Sequence, residues 1–182
     1  MLTNEQRTRL LQVARQSVMA VCCGDAEPDL TTDDPALTSV QGAFVTLHKP
    51  DGDLRGCIGH LEGHLPLLET VAEMAVAAAT QDPRFPRVRC EEVPRLHIEI
   101  SAMSPIREVK DVGEIEVGRH GLVMSRGYQR GLLLPQVATE YGWTRDEFLR
   151  HTCRKAGLPS NAWQDAGTKI ETFEAEVFSE PR

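Results

Sequence analysis

Residues 54–60 read Leu-Arg-Gly-Cys-Ile-Gly-His, and this run gathers reactive residue types more densely than any other part of the 182-residue chain. On a strand, Arg55 and Cys57 stand two residues apart and so share a face. A guanidinium beside a thiol favours the thiolate, the form in which sulfur attacks electrophiles. Gly56 and Gly59 remove bulk on either side, which lets a ligand approach the backbone closely. Their N–H groups could also serve a developing oxyanion. The run therefore fits a reactive cysteine or an anion site. A small cysteine buried in a glycine-bounded turn, with Arg55 on the surface, is the plainer alternative.

Other segments carry weaker signals. Cys57, His60 and His64 follow a Cys-x2-His-x3-His spacing that zinc would accept. Gly63 and Pro66 break any single helical face that would aim them together, and no further ligand is placed to complete the set, so no metal is expected. Asp82-Pro83-Arg84-Phe85-Pro86 is a loop stiffened by two prolines. It suits either positioning Arg84 and Phe85 at a site or an Asp82–Arg84 pair that closes a helix end. Glu99 and Ser101 share the polar face of one strand, as a site wall or simply as its wet side. His120, between Arg119 and Gly121, is a candidate general base. No Ser–His–Asp order, Walker loop, GxGxxG or CxxC pair occurs, so no cofactor is expected.

Several elements have to position these residues. Thr3 and Gln6 have capping-box spacing, and Leu10, Leu11, Ala14, Val18 and Val21 recur at three and four residues, which predicts a helix ending at Gly24. Residues 25–40 are polar and proline-punctuated, a surface loop or short turns. Gly42 to His48, the turn Lys49–Asp53 and Leu54 to Ile58 predict a hairpin. Pro66 opens a second helix with an Ala-rich face, and Asp82-Pro83 stops it. Leu96 to Met103 alternates as a half-buried strand, with Leu96, Ile98, Ile100 and Ala102 on one face and His97, Glu99, Ser101 and Met103 on the other. Two or three short strands follow around Gly118–Gly121 and Arg126–Gly131. Thr144 and Glu147 form a capping box for a helix that Gly157 and Pro159 end, and Ile170 to Phe178 closes the chain as a strand alternating Phe173, Ala175 and Val177. Without βαβ rhythm, the order predicts an α+β fold with a mainly antiparallel sheet flanked by helices.

Composition limits the function classes. A chain with 41% hydrophobic and 26% charged residues buries an ordinary core, and its length suits one domain. The net charge of −7 argues against nucleic acid, which asks for a basic face. Sixteen of the twenty cations are arginine, better suited to bidentate recognition of a small anion than to a diffuse positive field. The opening Met1-Leu-Thr-Asn-Glu-Gln-Arg lacks the apolar run of a signal peptide, and no apolar stretch reaches a membrane span. Five cysteines without framework spacing are expected to stay as reduced thiols in a cytoplasmic protein.

Taken together, Arg55–Gly59, Asp82–Pro86, Glu99-Ile100-Ser101, Gly118–Leu122, Leu134–Val137 and Lys155-Ala156-Gly157 resemble, in order and spacing, the signature segments of the AMMECR domain family. The resemblance runs from about residue 10 to the end. It implies a single domain over residues 1–182 with two unequal lobes, the cysteine motif facing a cleft between them. Stand-alone members resemble component A of the AmmeMemoRadiSam system, which implies a Memo-like protein and a radical SAM enzyme as partners. Carried over residue by residue, the implied site residues are Arg55, Cys57, Asp82, Arg84, Glu99, Ser101 and His120. Leu134–Val137 takes a packing role beside them.

Two functions follow from these residues. In the first, Cys57 is the nucleophile of an enzyme acting on a small anionic substrate. Arg55 and Arg84 hold the anion, with Gly56, Gly59, Asp82 and Ser101 completing the binding set, and Glu99 or His120 moves protons. In the second, the same residues form a non-catalytic module that binds a ligand or a partner protein.

Overall fold

Helix α1 (Asn4–Cys23) begins where its capping box requires: Thr3 Oγ1 accepts from the Gln6 N–H, and the Gln6 side chain accepts from the Thr3 N–H. Gly24 ends it in the left-handed region, with φ of 79°. Asp34 then caps a short helix α2 (Pro35–Thr38) within the polar loop. Strands β1 (Ala43–His48) and β2 (Leu54–His60) form the expected antiparallel hairpin. Helix α3 (Leu67–Thr80) follows Pro66, and β3 (His97–Met103) pairs antiparallel with the other edge of β1.

Strand alternation sorts this sheet into two faces. Ala43, Val45 and Leu47 of β1 and Ile98 and Ile100 of β3 are buried in one core with Leu10, Val13 and Val18 of α1 and Leu68 and Val71 of α3. Phe44, Thr46 and His48, with His97, Glu99 and Ser101, lie half-buried on the opposite face. Alanines on α3 bring it very close to β2: a Cβ on Gly56 would sit 2.2 Å from the Ala78 carbonyl oxygen.

The computed structural model describes residues 1–181 and divides them into two compact units. The elements above belong to the larger, Met1–Met103, which also takes in the C-terminal residues from Glu176. The smaller, Ser104–Ala175, contains β4 (Arg107–Glu108), β5 (His120–Arg126), β6 (Gln129–Leu133), α4 (Pro135–Glu140), α5 (Arg145–Lys155) and the first part of β7 (Lys169–Ser179). Within it β5 lies between β6 and β7, and β4 pairs with β7, all antiparallel. Phe148, Leu149 and Cys153 of α5 pack on Leu122, Met124 and Ile170. The fold is α+β with an antiparallel sheet, as the sequence predicts.

Of the Leu134–Val137 run, Leu134 is the N-cap of α4 and Pro135, buried, opens its first turn. Two expectations change. In β7 the alternation breaks: Thr172 and Phe173 are both buried and Val177 is 50% exposed. Phe173 is covered because its ring lies over Gly121, where a Cβ would come within 2.2 Å of it. The cysteines are not all reduced, since Cys23 and Cys90 form a disulfide, leaving Cys22, Cys57 and Cys153 free. Its partners are 67 residues apart, joined because the last turn of α1 packs on the 3-10 turn Cys90–Arg95, a contact no local spacing announces. Among the described residues, no helix is long and apolar enough to cross a membrane.

Candidate functional site

The register of the hairpin decides what Arg55 does. Leu47 pairs with Gly56 but His48 pairs with Leu54, so Arg55 is the extra residue of a β-bulge. The bulge breaks the alternation that would place Arg55 beside Cys57. Its side chain is 7% exposed and fully engaged. Nε and Nη2 donate to the Glu92 carboxylate at 2.9 and 3.2 Å, and Nη1 donates to the Pro86 carbonyl at 3.0 Å. These bonds from Arg55 pull the Glu92 carboxyl down to about 2 against the opposing effect of burial, helped by the Arg89 N–H and by the charges of Arg55 and Arg89.

On the free edge of β2, the Asp82–Pro86 loop seals the strand at Cys57. The Cys57 N–H donates to Asp82 Oδ2 at 2.8 Å, and its carbonyl accepts from Arg84 Nη2 at 3.3 Å. Asp82, itself buried, also accepts from the Arg84 N–H at 3.0 Å, Nε at 2.9 Å and Nη2 at 2.7 Å. The Arg84 bonds hold its carboxyl well below the usual carboxylate range, although burial pushes the other way. Side chains thus occupy the backbone groups an edge strand would otherwise expose. The Cys57 N–H is therefore committed and cannot serve an oxyanion. The space beside the glycines is also taken. Ala78 fills that at Gly56, and a Cβ on Gly59 would lie 2.4 Å from both the Ala43 carbonyl oxygen and the Phe44 ring. Both glycines serve close packing rather than ligand approach.

The Cys57 side chain belongs to the half-buried face of the sheet. Its Sγ accepts a hydrogen bond from Thr46 Oγ1 at 3.2 Å. Thr46 is the register partner of Cys57 on one side and of Glu99 on the other. The three residues form one row across β2, β1 and β3, with Cys57 and Glu99 Cα atoms about 10 Å apart at ordinary strand spacing. His48 Nε2 lies 3.9 Å from Glu99 Oε1, while its Nδ1 faces the Gly52 carbonyl at 3.3 Å. Gly59, Phe44 and Ser101 form the next row. Arg84 stays accessible, with 54% of its side chain exposed and its guanidinium carbon 5.6 Å from the Phe85 ring centre.

His120 belongs to the smaller unit and has a local role there. It is 2% exposed, and its Nδ1 accepts from the Glu116 N–H at 3.0 Å. Nε2 therefore carries the proton, 3.7 Å from Glu174 Oε1 and without a hydrogen-bond partner among the described residues. His60 and His64 face each other edge-on, ring centres 6.3 Å apart. Among the described residues no three histidine, cysteine or acidic side chains are grouped to hold a metal ion.

The structure thus gathers Cys57, Asp82, Arg84, Glu99 and Ser101 on or beside one face and turns Arg55 away from it. Thr46, His48 and Glu92 were missed from sequence. Thr46 and His48 were in principle visible, because the alternation of β1 puts them on the same side as Phe44. Glu92 had no sequence signal.

A family model for AMMECR1 matches residues 11–178 of this chain. The chain belongs to the AMMECR1 family. A protein of Methanothermobacter thermautotrophicus is 42% identical over 98% of this chain and 96% of its own length. Protein MJ0810 of Methanocaldococcus jannaschii is 48% identical over 77% of this chain and 73% of its own. The crystal structure of the AMMECR1 relative PH0010 from Pyrococcus horikoshii superposes with a TM-score of 0.76 at 40% identity, covering 94% of this chain and 89% of that one. None of these names states an activity. AMMECR1 membership therefore carries the fold but names no activity.

Proposed function

We propose that this AMMECR1-family protein is a cysteine-dependent enzyme acting on a small substrate, with Cys57 as the nucleophile. The observation that carries this reading is the row Cys57–Thr46–Glu99, in which a hydroxyl holds the sulfur and a carboxylate stands one strand further on. Thr46 orients the sulfur. Glu99, with His48 beside it, is the proton-accepting group, and Ser101 faces the substrate from the next row. An anionic group of the substrate meets the exposed edge of Arg84, which Asp82 holds from the other side, rather than Arg55, which is buried against Glu92. A cytoplasmic setting beside Memo-like and radical SAM proteins is part of the same proposal.

A second reading, a non-catalytic module that binds a ligand or partner, draws support from charge. Each arginine near Cys57 already has a carboxylate partner.

The test uses p-nitrophenyl acetate as an acyl donor, with acetylation located by peptide mass spectrometry. Cys22 is the internal control, because it is also half-buried and burial pushes its thiol pKa up. Acetylation of Cys57 at least tenfold faster than Cys22, slowed in Thr46→Val and Glu99→Gln, is the expected result. Equal or slower modification of Cys57 overturns the enzyme reading in favour of the binding module.

A further inference from the structure

The Cys23–Cys90 bond of the larger unit is placed for exchange with thiols, and it plays no part in the Cys57 chemistry. Cys90 is exposed, Cys23 is half-buried, and both line an open hollow of about 710 Å³. A small thiol can therefore approach the Cys90 sulfur from solvent. Exposed disulfides are the labile ones, whereas structural disulfides resist reduction by the glutathione pool.

The surroundings hold the two ends together without the bond. Arg87, three residues before Cys90, donates from Nη2 to the Val21 carbonyl in the last turn of α1 at 2.6 Å. Arg15 of α1 donates from Nη1 and Nη2 to the Val93 and Leu96 carbonyls at 2.8 and 2.7 Å, and Val93 is buried in the core with Val18. Opening the disulfide thus leaves its sulfurs near each other, and closing it again does not wait on the entropy of a 67-residue loop. Cys22 is the neighbouring thiol that could scramble the pair. It is half-buried, and burial pushes its thiol pKa up against the charge of Arg87, so it stays protonated and attacks poorly. A bond from Cys22 to Cys23 is disfavoured as well, since adjacent Cα atoms lie about 3.8 Å apart, short of the usual disulfide span of about 4.4–6.8 Å.

We propose that Cys23 and Cys90 are a redox-active pair, opened by a small thiol such as glutathione and closed by its disulfide while the fold stays intact. In the opening step a glutathione thiolate attacks Cys90 Sγ. The Cys23–Cys90 bond breaks, and Cys23 leaves as a thiolate that takes a proton from solvent. A second glutathione thiolate then attacks the glutathione sulfur of the mixed disulfide, which releases Cys90, likewise protonated, and glutathione disulfide. The protein gains two electrons and two protons, and the two glutathiones lose them. Closure is the reverse of these steps.

The full chain, equilibrated without oxygen in mixtures of reduced and oxidised glutathione, tests the proposal. The mixtures run from fully oxidising to fully reducing and include the ratio of the cytosolic pool. Thiols are trapped with iodoacetamide and located by peptide mass spectrometry, with far-UV circular dichroism followed on the same samples. Cys23 and Cys90 are expected to become alkylated together, with at least half of the chains open at the cytosolic ratio. Oxidised glutathione is expected to restore the bond, and the circular dichroism to stay unchanged throughout. In Cys22→Ser the midpoint ratio is expected to stay within twofold of wild type. A bond that stays closed at the cytosolic ratio, or opens only as the circular dichroism is lost, is a structural staple and overturns the proposal. So does a chain that forms no bond in oxidised glutathione, or a bond between Cys22 and Cys90. A larger shift of the midpoint in Cys22→Ser also overturns it, because the pair would then exchange through Cys22.

Discussion

The two sides of strand β2 put a glutamate to opposite ends. On one side, Arg55 and Glu92 form a largely buried bidentate pair whose remaining donors reach backbone carbonyls. On the other, Cys57, Thr46 and Glu99 line up on a half-buried face, with Glu99 36% exposed. The buried pair holds the Cys90–Arg95 turn against the strand and has no free charge to offer a ligand. The open row keeps a sulfur and a carboxylate within reach of solvent. Charge near a cysteine is thus no guide to function until its partner is known, and a one-residue bulge determines on which side a guanidinium falls.

If that division is right, breaking the buried pair costs stability most. Glu92→Ala leaves Arg55 as an unpaired buried cation and is expected to destabilise the fold by about 3 kcal/mol in urea unfolding. A loss below about 1 kcal/mol, the level of an exposed pair, would mean that Arg55 finds water or another partner. Asp82→Asn keeps the shape of the edge clamp but removes its charge, and a loss of about 2 kcal/mol is expected from weakened bonds to Arg84 and the Cys57 N–H.

The same pairs set the acid response. The Glu92 carboxyl is lowered from 4.5 to about 2 in the folded protein, and Asp82 is lowered as well. The unfolded chain therefore takes up these protons first. The stabilisation is complete above about pH 4.5 and is lost as pH falls from there through about 2. Urea midpoints measured over that window should fall steeply in the wild type and less steeply in Glu92→Gln; parallel curves would remove Glu92 from the account. The smallest stability effect belongs to the open row, where Glu99→Gln and Ser101→Ala should stay within about 0.5 kcal/mol of wild type. A larger loss would make that face structural as well.

How far this division was legible from the sequence depends on the range of the interaction. Local chemistry was readable: the Thr3–Gln6 and Thr144–Glu147 boxes start α1 and α5, and alternation in Ile98–Ala102 separates Glu99 and Ser101 from the core. The hairpin that carries Cys57 was readable for the same reason. The orientation of Arg55 was not, because a bulge depends on how β1 and β2 pair and not on either strand alone. Glu92 and the Cys23–Cys90 bond were hidden likewise, since each meets its partner across 37 and 67 residues. The glycines of the motif suggested room for a ligand, but helix α3 and Phe44 occupy that room. Thr46 lay in view on β1, yet only the register shows that it touches Cys57.

The most direct test compares the two carboxylates rather than the cysteine itself. The rate of Cys57 acetylation by p-nitrophenyl acetate should be measured in Glu99→Gln and Glu92→Gln, well below the melting temperature of either variant. If Glu99 accepts the proton, its loss slows Cys57 by a factor of ten or more, on the order expected for a missing general base. Glu92→Gln then lowers stability while leaving the rate within twofold. The opposite pattern, an indifferent Glu99 and a Glu92 that governs the rate, would contradict the account and place the chemistry on the buried side of β2.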